Sequence, residues 1–181
     1  MIDNFISADT SGRTSSRPVL DLSGPRITSS FEKLLNASDE QGGVETFVTA
    51  IKFKNSVFQE VLKPENVQDL DKDTFLGLCA FTASVRRRIG AWIETQDFEK
   101  LRMHIVALMA GEVDGSDVDA RMAKFCERFP HDRSHRWVRD LAAEFLHFSD
   151  MEKYPLMTRW VWDYAANTGV IREIWYADDI D

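Results

Sequence analysis

The side chains best able to do chemistry are bunched between positions 131 and 147. There HDRSHRWVRDLAAEFLH holds three of the chain's four histidines, with Glu144 three residues before the last. Imidazoles and carboxylates at helical spacing can chelate a metal ion or pass protons, provided that they point together. On a helix stepping about 100° per residue from His131, His135 falls at ~40°, His147 at ~160° and Glu144 at ~220°. The two pairs therefore face opposite sides and cannot share one ion. A structural zinc site wants about four ligands, and a di-metal bundle wants two Glu-x-x-His motifs, of which EFLH is one. A fuller set is Cys126, His131 and His135, spaced C-x4-H-x3-H, which Pro130 could bend into one place. It lacks an evident fourth ligand, and the alternative is a packed thiol beside two histidines at a helix entry.

The other polar residues of this stretch read as a solvated face. Arg133, Arg136, Asp140, Glu144 and His147 lie opposite an apolar stripe of Trp137, Val138, Leu141, Ala142, Phe145 and Phe148. Arg136 and Asp140 stand at i,i+4, a pair worth about 0.2–0.5 kcal/mol. RSHRWVR has the residue types for phosphate contact. Nearby acids and a net charge of −8 weigh against nucleic acid as a partner.

A second constellation interrupts apolar stripes. Asn55 lies between Ile51 and Phe58, and Thr82 and Arg86 lie between Leu78 and Ile89. A buried guanidinium must find a carboxylate, carbonyl oxygens, an anion or water. One reading is a small polar pocket in which Asn55, Thr82 and Arg86 hold an anionic ligand. The other is an internal network that fixes helix register, or an arginine that reaches out to solvent. The sequence has no nucleophile elbow, Walker loop or dinucleotide fingerprint, so any catalytic site must be assembled from scattered residues.

These residues need elements to position them, and apolar residues recur every third or fourth place throughout. The first helix is expected from a capping box at Ser29 and Glu32, ending before Gly42-Gly43. The second spans 44–62 and stops at Pro64. The third spans 73–95 with Asp73 as N-cap. The fourth spans 98–110, and the fifth runs from Ser116 to Pro130. The sixth is the histidine segment extended to Phe148. LMTRWVWDYAA reads as a seventh, and VIREIWYA fits a helical turn or a short strand. The fold expected is all-α, an irregular bundle of six to eight helices. It comprises a flexible arm over 1–28, rich in Ser, Thr, Gly and Pro, a helical domain over 29–177 and an acidic tail over 178–181.

Hydrophobic residues make up 44% of the chain, enough for a core, and no apolar run reaches the roughly 20 residues of a membrane span. Two cysteines in apolar-periodic segments suit reduced thiols and a cytoplasmic setting. Phe53 and Val57 point away from the second helix's stripe. Trp162 points about 200° from Trp160, and Trp175 adds a further indole near the end. Large aromatics left facing outward commonly anchor interfaces. The expectation is a non-catalytic binding or accessory protein that joins itself or another protein through Phe53, Val57, Trp162 and Trp175. No cofactor is expected, and no membrane partner. The alternatives are a ligand-binding protein or enzyme built around Arg86 and a metal-binding protein built on Cys126, His131 and His135.

Overall fold

A computed structural model describes residues 24–110, 117–163 and 165–174. Among these the chain forms eight α-helices packed against one another, two 3-10 turns and no strand, only a single bridge between Asp163 and Thr168. No described helix is long and apolar enough to cross a membrane.

Helix α1 (Gly24–Asp39) is already helical at Gly24. The expected arm boundary at 28 and the capping box at Ser29 are thereby corrected. Pro25 sits in the first turn, where its missing N–H costs nothing, and Thr28 Oγ1 donates back to the Gly24 carbonyl (3.0 Å). The helix ends on a Schellman motif. Gly43 N donates to Ser38 O (2.9 Å) and Gly42 N to Asp39 O (3.3 Å), with Gly42 at φ 93°. The chain reverses there into α2 (Val44–Leu62), which has the bounds its periodicity predicts.

The second half of α2 enters the core. Phe58 and Leu62 are buried there, and Phe58 meets Phe145 and Phe148 edge-on, with ring centroids 5.8 Å and 5.4 Å apart. After a 3-10 turn (Val67–Asp69), Asp71 rather than Asp73 caps α3 (Lys72–Ala80), accepting from Thr74 N at 2.7 Å. The helix expected to run to 95 stops at Ala80 and resumes as α4 (Ile89–Ile93). No Gly or Pro lies between Gly77 and Gly90 to mark the break. Tertiary packing explains it. Phe81 swings onto Phe53 and Phe58, and the turn that follows still buries Thr82, Val85 and Ile89.

Asp97 caps α5 (Phe98–Met109) and Asp117 caps α6 (Val118–Cys126). A 3-10 turn (Arg133–His135) then leads into α7 (Trp137–Ser149), so the histidine segment is not one continuous helix from 131. Trp137 packs there against Trp92 and Phe129. The seventh helix expected over LMTRWVWDYAA does not form. The Asp163 carboxylate captures the amides of Ala165 (3.1 Å) and Ala166 (3.2 Å), a side-chain turn that competes with helix. Gly169 follows at φ 126°, where an added Cβ would lie 2.5 Å from Val161 O. VIREI then forms α8 (Val170–Ile174), the helical-turn alternative, held to the chain by Val170 N on Trp160 O at 3.0 Å.

Candidate functional site

The face read as solvated divides: Arg133 and Arg136 are exposed, whereas Asp140, Glu144 and His147 of α7 form a buried to half-buried polar seam. Asp140 is 1% exposed. It accepts from Arg159 three ways: the backbone amide (3.1 Å), Nε (3.3 Å) and Nη2 (2.8 Å). The expected Arg136–Asp140 pair is not made. The same carboxylate holds the Arg159 guanidinium's pKa above its usual value, against the opposing effect of burial. One turn along, Glu144 receives the ammonium of Lys54, which also donates to Phe81 O and lies 4.0 Å from the Phe148 ring centroid. His147 Nδ1 reaches Tyr154 O at 2.7 Å. Asp140 meets a residue 19 places away and Glu144 one 90 away. Neither partner has a signature in local spacing.

The three residues expected to form a polar pocket are not brought together as one. Thr82 is fully buried and its Oγ1 lacks a hydrogen-bond partner, as does the buried Oδ1 of half-buried Asn55. Arg86 is exposed. Its predicted inward position assumed a helix continuing past 80, and the break at Phe81 rotates it outward. The buried guanidinium belongs instead to Arg121, which donates to Leu108 O and to Tyr154 Oη (3.2 Å). It thus supplies a side-chain donor to a carbonyl in the last turn of α5.

Cys126, His131 and His135 line one cavity of about 610 Å³, together with Arg133, Arg136, Arg139, Arg159 and Trp162. Among the described residues, no three or more His, Cys, Asp or Glu side chains are placed to hold a metal ion. His135 Nδ1 is engaged by Asp132 at 2.9 Å and by Ser134 Oγ at 3.1 Å. Burial pushes the Cys126 thiol's pKa up, partly countered by the nearby Arg139 charge, and so disfavours the thiolate that a metal needs. Hydrogen bonds from Ser134 and His135 bring the Asp132 carboxyl down to about 2.

Of the expected interface residues, Phe53 is exposed, although its ring edge reaches Phe81 at 6.0 Å between centroids. Val57 is half-buried and packs against the core, so the outward position expected for it is corrected. Trp162 is exposed, and Trp160 more so at 70%. Trp175 lies outside the described residues. A larger apolar surface escaped sequence reasoning. Ile27, Phe31 and Leu34 of α1, with Phe47, Val48 and Ile51 of α2, are each more than a third exposed. Phe47, Val48 and Ile51 share one face of α2 with the buried Phe58 and Leu62. The periodicity that marked it could not say whose core it enters.

No family model, curated protein or solved structure matches the chain.

Proposed function

We propose that this protein is a helical binding or accessory module that pairs with a second copy of itself through the α1–α2 hairpin. The observation that carries the reading is an amphipathic hairpin whose apolar stripe lies uncovered. On α1, Ile27, Phe31 and Leu34 fall within about 60° of one another, and the only buried residue of that helix is Ser38. Isolated helices of this length are marginal in water and take most of their stability from packing an apolar face. A second hairpin about a twofold axis supplies that face and closes a four-helix bundle, the self-complementary geometry of most homodimers.

The size fits. A 16-residue helix is about 24 Å long, and two helices side by side span roughly 20 Å. Their face covers roughly 500 Å² in projection, and its corrugated accessible area approaches the ~800 Å² per partner of a stable interface. Flanking charges of both signs, Glu32 and Lys33 on α1, leave no single-sign field to oppose approach.

Sedimentation equilibrium tests this directly. Wild type should sediment as a dimer at micromolar concentration, and a Phe31→Glu, Ile51→Glu variant as a monomer that keeps the helical circular dichroism of its core and loses at most the contribution of α1. Both positions are exposed, so the protomer's core is untouched. A wild-type monomer throughout, or a dimer indifferent to the two glutamates, rules the reading out.

A further inference from the structure

The 610 Å³ cavity beside α7 carries a charge pattern at odds with the acidic molecule around it. Arg133, Arg136 and Arg139 recur every third residue across the junction of the 3-10 turn and α7, and all three line this cavity. Each is exposed, and among the described residues none forms an ion pair. Two carboxylates, Asp132 and Asp163, line the cavity as well, and each is oriented by hydrogen bonds of its own. Asp132 is held by Ser134 and His135, Asp163 by the amides of Ala165 and Ala166, and Asp140 by Arg159. Three guanidiniums without an ion-pair partner are thus concentrated on one concave wall, where they outnumber the two carboxylates, Asp132 and Asp163, that line the same cavity.

We infer that this cavity binds a compact, polyphosphate-bearing small molecule, with Arg133, Arg136 and Arg139 gripping the phosphates. Guanidinium forks match phosphate oxygens two at a time, and several at one-turn spacing can engage successive phosphates where a single charge could not. The volume is that of a small-molecule site, too short for an extended strand of nucleic acid. Trp162 shares the wall and offers an aromatic surface suited to a nucleobase, so the phosphates can belong to a nucleotide or to an inorganic chain. The inference uses residues other than those of the hairpin face and stands whether or not the chain self-associates.

Isothermal titration with ATP and with inorganic tripolyphosphate, at physiological salt, tests it. Saturable micromolar binding of at least one is expected, weakening steeply as salt rises. Arg136→Gln with Arg139→Gln should cost at least tenfold in Kd, and Arg133→Gln alone, on an exposed turn, several-fold. Lys100→Gln, lining a different cavity, should change nothing. Preference for ATP that Trp162→Leu abolishes assigns a nucleotide; equal binding of both, unaffected by Trp162→Leu, assigns the inorganic chain. The inference is overturned by absence of binding at millimolar ligand, or by arginine variants that bind like wild type. Sulfate displacing the ligand at equal concentration overturns it too, since that marks an adventitious ion only. So does an oligonucleotide that binds more tightly than either small molecule.

Discussion

Asp140 is the carboxylate most withdrawn from water in the seam along α7, and its charge is balanced from one direction, by Arg159. Removing that guanidinium leaves a buried anion with the Arg159 backbone amide as its remaining hydrogen-bond donor among the described residues. Arg159→Met should therefore lower stability in urea by about 3 kcal/mol, the low end for breaking a buried pair. Adding Asp140→Asn should restore part of the loss, because the unpaired charge is gone, and the double-mutant cycle reads the coupling. An additive cycle would show that the pair is incidental. Asp132 gives a pH counterpart. Its folded pKa of about 2 lies below the ordinary 3.8, so its contribution is fully present above pH 3.8 and fades as pH falls through the folded value. A carboxyl NMR titration should place its midpoint near 2, and Ser134→Ala should move that midpoint upward. A midpoint near 4 in the wild type would mean that the Ser134 and His135 hydrogen bonds do not hold in solution.

Elements respond to changes where their geometry is forced. Gly42 closes α1 at φ 93°, a conformation that costs a side-chain-bearing residue about 1–2 kcal/mol. Gly42→Ala should lower stability by that amount, whereas Gly24→Ala, with open space around it, should be near neutral. Equal effects at the two sites would remove the Schellman motif from the account. Features of this kind are local, and they are the ones the sequence makes legible. Pro64 and the glycine pair bound α2 and Asp97 caps α5, both within a residue of where their patterns put them, while α6, capped by Asp117, stops at Cys126, short of Pro130. The break at Phe81 has no local mark, because it depends on rings from α2 that are distant in sequence. The same break carried Arg86 out of the expected pocket. The seam on α7 was hidden for a related reason: a helical wheel shows which residues share a side but not what covers that side. RSHRWVR was legible as phosphate-competent residue types. Its concavity, and the pairing of Asp140, come from Arg159, Trp162 and Asp163, which are distant in sequence.

At the scale of the whole molecule, the uncovered hairpin couples folding to association. If two copies bury that face together, unfolding releases two chains, and mass action makes the midpoint depend on concentration. A tenfold rise in concentration adds about 1.4 kcal/mol to the dimer's stability. Two chains of 181 residues unfold with an entropy of about 0.8 kcal/mol/K, from ~2.1 cal/mol/K per residue. The Tm should therefore rise by about 2 °C for each tenfold increase in protein. Calorimetry over two decades of concentration resolves a shift of that size. The Phe31→Glu, Ile51→Glu variant should show none, and its α1 amides should exchange with solvent faster than those of α7, because the second half of α2 and the aromatic core remain intact without the partner. A concentration-independent Tm in the wild type, with α1 protected from exchange as well as α7, would mean that the hairpin is stable with its apolar stripe in water, and the pairing would have no thermodynamic basis.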